Sequence, residues 1–499
     1  MFENSTDQKT YSKIVDYDSI SAMWANCLKN YADDIAINDN NKDYSFLCVE
    51  KDASFFRTTL IHNGLKYGDR VGVFIPNSYE FVKAFVSITT LGMIAVLLPT
   101  HLDEKSMHDI SLKHNLKVIV YDPSLEEKLS LVKNNPNCKL ININDNSLER
   151  TELVGVNKED ACAILFTGGT TGKSKGVLLS NGAILQGTKN GCFGYRDVFN
   201  ERYFLVLPLT HVLGLVRNLL TPLYTGSYLH ICRSNKDMFK EMVIFKPTIL
   251  VLVPALAEMA MSLSKEFKRN MWGDSVKYIM CGAANVPPYL IKEYKKLGIT
   301  LYVGYGLTET SCIVCGNPKG DTKPDSVGVL YERQTLKIVN GELWLKGANM
   351  MMGYADDEEE NKNAFEDGYF KTGDLAHLDD EGFIYITGRI KECIVLSSGK
   401  KVSPAEIENK FNTIDVIQDS LVYEEEDNNK QVLVLEILPR KAVLDTIDVE
   451  DKDQYIKDRI NEINNSLPSF MRISKIVIRD KDFPRSPSMK ILRKKKKDE

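Results

Sequence analysis

The chain has 499 residues, of which 43% are hydrophobic and 26% are charged, and its formal net charge is −5. This length corresponds to roughly two to four domains. The acidic balance excludes the broad basic surface typical of a nucleic-acid-binding protein, although residues 493–497 form a short basic run.

The chain carries no pattern of secretion or membrane insertion. Its first residues are polar and acidic and lack the apolar core of a signal peptide. The longest uncharged run, residues 84–100, contains hydroxyl residues, glycine and proline and is short for a membrane span. Ten cysteines without a secretory context favour a reducing compartment. We therefore predict a cytoplasmic protein with no integral membrane segment and no nucleic-acid partner.

The larger part of the chain alternates between apolar runs of strand length and helical patterns. The strand candidates are residues 71–75, 117–121, 161–166, 204–207, 229–232, 249–253 and 276–281. After the first of them, Asn77 and Glu80 resemble a capping box that opens a helix. This alternation predicts an α/β fold with layered, largely parallel sheets.

The pattern changes near Gly341, where short alternating strands are separated by glycine and aspartate. These strands predict a β-rich piece that closes a large N-terminal domain, residues 1–388. Residues 389–499 combine short apolar strands with a charged helix at 451–467, which predicts a small α+β C-terminal domain.

Residues 165–177 read LFTGGTTGKSKGV and follow directly on an apolar run. Phosphate binding is favoured by the hydroxyl groups, by backbone N–H groups that can turn inward at the glycines, and by the positive charge of the lysines. The candidate ligands are Thr167, Gly168, Gly169, Thr170, Thr171, Gly172 and Lys175. A kinase P-loop requires a glycine where Thr167 stands, so the spacing misses that motif by one residue. A P-loop-like kinase or NTPase is the alternative of a different class.

The segment FTGGTTGKSKG resembles the phosphate loop of the adenylate-forming enzymes, which include acyl-CoA synthetases, peptide synthetase adenylation domains and luciferase-like proteins. Six more stretches resemble motifs of that family in the same order: PLTHVLGL, CGAANV, YGLTET, TGDL, GRIKECIVLSSGKKVSPAEIE and PRSPSMKILR. The chain departs from the family at Gly168, where serine is usual, at Ser174, where proline is usual, and at Met489, where glycine is usual.

The resemblance implies ATP, Mg²⁺ and CoA as cofactors and a small carboxylic acid as substrate. The reacting groups would be Glu309 as the Mg²⁺ ligand, Thr308 at the α-phosphate, Lys490 as the adenylation lysine and His211 beside the substrate carboxylate. The nucleoside would be held by Tyr305 against adenine, by Asp374 at the ribose, and by Gly282, Ala283, Ala284 and Arg389. In the second step the small, mobile C-terminal domain would rotate about Lys391, and CoA would pass beside Gly399.

The resemblance also bears on the acid and on its acceptor. Gly306 stands where acetate-specific relatives carry tryptophan, so we predict an acid larger than acetate and favour a medium- or long-chain fatty acid. The alternatives are an aryl or dicarboxylic acid, or transfer to the phosphopantetheine of an acyl or peptidyl carrier protein. Arg217 interrupts the apolar residues 212–224. We favour a solvent-facing side chain there, the alternative being a partner for a second substrate carboxylate.

Overall fold

The computed structural model describes residues 6, 8–167, 175–194, 197–396, 400–427, 430–485 and 491–493. The α-helices of these residues are Gln8–Tyr11, Ile20–Tyr31, Phe46–His62, Tyr79–Thr89, Glu104–Lys113, Asn181–Asn190, Thr221–Tyr224, Met238–Phe245, Pro254–Glu266, Pro288–Lys296, Glu358–Ala364, Pro404–Phe411, Lys441–Leu444 and Lys452–Ser466. A π-helix spans Leu213–Leu220. Shorter 3₁₀ turns are Pro123–Leu129, Val132–Asn134, Thr308–Thr310, Ile390–Glu392 and Ser469–Met471.

Two large sheets form the N-terminal part of the fold. The first contains, in spatial order, Val329–Leu330, Cys315–Gly316, Thr300–Tyr305, Tyr278–Cys281, Ile249–Leu252, Arg202–Leu205, Tyr228–Ile231, Ile35–Asp39 and Lys42–Ser45. The second contains Gly353–Tyr354, Lys175–Ser180, Ala161–Thr167, Ile94–Leu97, Arg70–Phe74, Val118–Tyr121 and Lys139–Asn142. The central strands of both sheets are parallel, and antiparallel strands occur at their edges.

The apolar runs of the sequence explain the parallel sheets. Ile249–Leu252, for example, is buried at every position, as expected for a strand covered by helices on both faces. One continuous apolar core joins the two sheets and their helices. The predicted α/β class is therefore confirmed. The helix Tyr79–Thr89 is capped by Ser78, whose hydroxyl accepts from the Phe81 N–H at 3.3 Å, and not by Asn77 as predicted.

A β-rich piece follows the parallel sheets. It contains Gln334–Val339, Glu342–Gly347, Tyr369–Leu378 and Phe365–Glu366 in spatial order, with Ile384–Arg389 also paired to Tyr369–Leu378. After Arg389 come a two-stranded sheet, Ile394–Val395 and Lys401–Val402, and a three-stranded sheet, Ile417–Asp427, Lys430–Pro439 and Lys475–Ile478. These last elements enclose an apolar core of their own. Among the described helices, none combines the length and apolarity needed to cross a bilayer.

Candidate active site

A large cleft opens at the carboxyl ends of the parallel strands, which is where α/β sheets usually bind ligands. All the predicted site residues within the described ranges line it: Thr167, Lys175, His211, Gly282, Ala283, Ala284, Tyr305, Gly306, Thr308, Glu309, Asp374, Arg389 and Lys391. Residues after 389 also line the cleft. The predicted residues Gly168, Gly169, Thr170, Thr171, Gly172, Gly399 and Lys490 lie outside the described residues.

The two ends of the predicted phosphate loop belong to one β-hairpin. Thr167, the last residue of Ala161–Thr167, pairs directly with Lys175, the first residue of the antiparallel strand Lys175–Ser180. A kinase P-loop instead leads from a strand into a helix. The strand–loop–strand arrangement therefore differs from the kinase alternative in topology as well as in glycine spacing.

Glu309 is held inside the cleft by the short turn Thr308–Thr310. Its carboxylate accepts from the Tyr354 hydroxyl at 2.9 Å, and its carbonyl accepts from the Met351 N–H at 2.8 Å. Burial raises the pKa of Glu309 above its ordinary value. An oxygen ligand fixed in this way suits a hard divalent cation, whose charge would keep the carboxylate ionised.

Lys175 lies next to this group. Its ammonium forms an ion pair with Glu360 and lies 4.9 Å from the centre of the Tyr354 ring. The ammonium is thus held at the base of this hairpin, between the tyrosine that contacts Glu309 and an acidic residue of Glu358–Ala364. The sequence pattern identified Lys175 but not Tyr354 or Glu360, because both lie far away along the chain.

Asp374 joins two other predicted site residues. The Tyr305 hydroxyl donates to one carboxylate oxygen at 2.5 Å, and the Arg389 Nε lies 2.7 Å from the other. Burial, with the Asp374 charge beside it, raises the pKa of Tyr305 well above its ordinary value, so the phenol remains a donor. Carboxylate oxygens are strong hydrogen-bond acceptors, so this group is of the kind that binds ligand hydroxyls.

Small residues bring backbone close to the cleft. A Cβ at Gly282 would lie 2.8 Å from the Gly304 carbonyl oxygen, and Ala283 adopts a left-handed φ of 68°. A Cβ at Gly306 would overlap the carbonyl oxygen of Cys312. Glycine at 306 is therefore required by this close backbone approach, a reason different from the open pocket that the sequence suggested.

His211 lies between Arg202–Leu205 and the π-helix Leu213–Leu220. Its segment is tied to another element by Asn77, whose amide donates to the Leu207 carbonyl and accepts from the Leu209 N–H, both at 2.9 Å. The sequence suggested a helix cap for Asn77. The structure shows that it supports the histidine segment.

The solvent-facing interpretation of Arg217 is wrong. The residue lies on the π-helix and is only 2% exposed. Its Nη1 donates to the Thr221 hydroxyl at 3.2 Å, and its Nη2 contacts the Met280 sulfur. Sequence periodicity could not reveal this, because the helix is buried on all sides.

A second polar cluster lies where the two parts of the chain meet. Glu258, on Pro254–Glu266, accepts from the Tyr289 hydroxyl at 3.0 Å and lies 3.8 Å from the Arg440 Nη2. The Arg440 guanidinium also covers the Tyr289 ring at 4.4 Å. Burial, and then the charge of Asp419, raises the pKa of Glu258 to about 7. The sequence offered no signal for this contact.

Two ion pairs flank the segment 486–490, in which Lys490 is predicted to act. Arg485 pairs with Asp419 at 2.6 Å, and Arg493 lies 2.8 Å from a Glu408 carboxylate oxygen. Arg485 and Ile491 also form an isolated antiparallel β-bridge through their backbones. Both ends of the segment are therefore anchored to the same small unit.

The fold and the cleft together define an α/β protein with a large ligand cleft and a separate C-terminal unit. Residues 24–355 match the family described as AMP-binding enzyme, and residues 391–499 match the AMP-binding enzyme C-terminal domain. The chain belongs to the AMP-binding enzymes. The predicted adenylate-forming superfamily and the predicted class of AMP-forming acid–thiol ligase are confirmed.

The proteins similar to this chain are CoA ligases named for several different acids. The chain is 26% identical over 437 residues to a long-chain-fatty-acid–CoA ligase of Mycobacterium bovis, covering 73% of this chain and 72% of that one. It is 26% identical over 485 residues to a 2-succinylbenzoate–CoA ligase of Bacillus cytotoxicus, covering 93% and 95%. The crystal structure of the anthranilate CoA ligase AuaEII with anthranoyl-AMP shares the fold, with a TM-score of 0.84, 22% identity and coverage of 96% and 97%.

Proposed function

We propose that the protein is an AMP-forming acid–CoA ligase that activates a carboxylic acid larger than acetate. In the first step the acid carboxylate attacks the α-phosphorus of ATP, forming acyl-AMP and releasing pyrophosphate. In the second step the CoA thiol attacks the acyl carbon and AMP leaves. The observation that carries the proposal is that Glu309, Asp374 and the phosphate hairpin open into a single cleft.

The nucleoside half of ATP fits the group formed by Asp374, Tyr305 and Arg389. A carboxylate is a group that can accept from ribose hydroxyls, and Tyr305 and Arg389 hold the orientation of Asp374. The Tyr305 ring and the backbone of Gly282–Ala284 are proposed to enclose adenine. A site oriented before the ligand arrives loses less entropy on binding.

The main barrier in the first step is charge, because a carboxylate must approach a triphosphate. Glu309 fits a Mg²⁺ ligand, and bound Mg²⁺ would supply neutralisation of phosphate charge. Lys490 and Lys175 would add positive charge around the phosphates, and the N–H groups of the hairpin would donate hydrogen bonds to them. Thr308 and His211 would orient the reacting oxygens, so that the site acts by positioning and electrostatic stabilisation.

The second step is proposed to use a different face of the C-terminal domain, residues 389–499. Rotation at Lys391 would withdraw Lys490 and bring Gly399 beside the incoming pantetheine. CoA is the proposed acceptor because the relatives named above are CoA ligases. A carrier protein presents the same pantetheine and remains the second candidate. The cytoplasmic location stays a prediction.

The relatives indicate more than one class of acid as the substrate. The relatives named above include a fatty acid ligase and a succinylbenzoate ligase at the same identity, so identity alone favours neither. The buried Arg217 in the cleft wall reduces the support for a medium- or long-chain fatty acid, since a wholly apolar chain gains nothing from a guanidinium.

Product identity tests the proposal. The protein is incubated with ATP, Mg²⁺, CoA and a panel of aliphatic, aryl and dicarboxylic acids, and AMP is separated from ADP while thioesters are detected by mass. AMP with a CoA thioester is expected, and Glu309→Gln should abolish both. ADP as the product would refute the proposal. AMP with acyl transfer only to a holo carrier protein would establish the second candidate.

A further inference from the structure

The turn that carries Thr308 and Glu309 leads into backbone of an unfavourable conformation. Ser311 and Cys312, which follow the turn directly, have φ angles of 47° and 96°. Left-handed backbone is costly for residues other than glycine, and it persists where the surrounding structure holds it in place. The conformation of this turn therefore depends on contacts from outside the segment.

Asn349 provides two of these contacts. It lies in the loop between the strands Glu342–Gly347 and Gly353–Tyr354. Its Nδ2 donates to the Thr310 carbonyl at 2.7 Å and to the Ile313 carbonyl at 3.2 Å. These carbonyls stand immediately before and after the two left-handed residues, so one side chain closes the connection across them.

The contact is specific for a primary amide. An –NH₂ group has two N–H donors, one for each carbonyl. Asn349 is fully buried, and its side-chain oxygen has no hydrogen-bond partner among the described residues, so the amide acts here as a donor. An ionised aspartate has nearly the same shape but no donor, and it would set negative oxygens against the two carbonyl oxygens.

The same loop also contacts Glu309 and the phosphate hairpin. The Met351 N–H donates to the Glu309 carbonyl at 2.8 Å, and the Tyr354 hydroxyl donates to the Glu309 carboxylate at 2.9 Å. The Met352 N–H donates at 2.9 Å to the carbonyl of Leu178, in the second strand of the hairpin. The loop therefore fixes the candidate metal ligand relative to the hairpin.

We propose that Asn349 is a positioning residue for the first step, in which it holds the turn so that the Glu309 carboxylate faces the bound cation. This inference rests on the proposed ligase function, in which Glu309 binds Mg²⁺. Asn349 is not among the described residues that line the cleft, so it acts through the turn and not on the nucleotide. Loss of its amide should therefore weaken metal-dependent binding of ATP and leave metal-free binding of AMP unchanged.

Substitutions of Asn349 test the inference. Asn349→Ala removes both donors and should raise about tenfold the Mg²⁺ concentration that gives half-maximal binding of a non-hydrolysable ATP analogue, measured by calorimetry. Asn349→Asp should shift this concentration at least as far, because it places a charge against the carbonyls. Asn349→Gln keeps the amide and should recover part of the affinity. No Mg²⁺ dependence in the wild type, or the same dependence in Asn349→Ala, would overturn the inference.

Asn317→Ala is the matched control. Asn317 is also buried, and its Nδ2 also donates to two carbonyls, those of Lys323 and Ser326, each at 2.8 Å. These contacts close a different loop, so their loss should lower the melting temperature without changing the Mg²⁺ dependence. If Asn317→Ala shifts the Mg²⁺ dependence as far as Asn349→Ala does, or if Asn349→Ala weakens metal-free AMP binding equally, the role of Asn349 is only structural and the inference is overturned.

Product analysis separates failure of this inference from failure of the ligase proposal. If no acid yields AMP, the ligase proposal fails, and the Mg²⁺ titrations, which require no turnover, still decide the role of Asn349. If AMP forms but the titrations of the wild type and Asn349→Ala coincide, only the present inference fails. Should Asn349→Ala not fold, Asn349→Ser, which keeps one donor, is titrated in its place and should show a smaller shift in the same direction.

Discussion

The ionisation of Glu258 should make a distinct contribution to how stability changes with pH. Burial raises its pKa from an ordinary 4.5 to about 7. The folded protein therefore keeps this proton up to about pH 7, whereas the unfolded chain releases it near pH 4.5. The contribution to stability is complete below about pH 4.5 and is lost as the pH rises through about 7. At about 1.4 kcal/mol per pH unit, the full effect is about 3 kcal/mol.

Glu258→Gln removes the titration and keeps an oxygen that can accept from the Tyr289 hydroxyl. At pH 8 the variant should be more stable than the wild type by up to about 3 kcal/mol, and at pH 4.5 the two should be nearly equal. For a chain of this length, this difference is about 3 °C in melting temperature. Differential scanning fluorimetry of both proteins between pH 4.5 and 8 measures it.

The comparison of the two proteins cancels the other buried carboxylates, which titrate in both. Glu159→Gln serves as the control, because Glu159 is exposed and lies 3.7 Å from the exposed Lys158. The reasoning is refuted if Glu258→Gln changes the melting temperature by the same amount at pH 4.5 and pH 8. It is equally refuted if the exposed control reproduces the pH-dependent difference.

Two further substitutions test the proposed nucleotide site, and a third tests the close backbone approach at Gly306. Tyr305→Phe removes the donor to Asp374 and should weaken AMP binding about tenfold, measured by calorimetry. Tyr354→Phe removes the donor to Glu309, so binding of ATP with Mg²⁺ should weaken several-fold while binding of AMP without metal is unchanged. Gly306→Ala forces a methyl group into a backbone carbonyl and should cost about 1–3 kcal/mol of stability, seen as a lower melting temperature.

Each of these three predictions would be contradicted by a different result. An unchanged AMP affinity in Tyr305→Phe would mean that Asp374 does not depend on the phenol for its orientation. Equal weakening of AMP and of ATP with Mg²⁺ in Tyr354→Phe would mean that the tyrosine supports the nucleotide and not a metal ligand. A wild-type melting temperature in Gly306→Ala would show that the neighbouring backbone moves aside easily.

Local patterns in the sequence were sufficient for the strands, the α/β class and most candidate site residues. Runs such as 249–253 are apolar at every position because parallel strands are covered on both faces. Thr167 ends a strand and Glu309 follows one, so their place at one edge of the fold was predictable. Asp374 lies inside the strand Tyr369–Leu378, and only the resemblance of its motif pointed to it.

Other contacts depended on residues that are distant in the chain. Tyr354 reaches Glu309 across 45 positions, and Arg440 meets Tyr289 only because the two parts of the chain pack together. No local sequence pattern predicts contacts between residues that lie so far apart in the chain. The cap at Ser78, one residue from the predicted one, depends on backbone geometry at the helix start.

Arg217 shows most clearly what the sequence alone determined and what only the tertiary structure decided. The sequence determined that a charge interrupts an apolar helix, and the usual cost of burying a charge favoured solvent. The tertiary structure places that charge against the carbonyl end of Asn181–Asn190 and beside Met280. The dipole of that helix favours a cation at its carbonyl end, and this contribution exists only once the helices have packed.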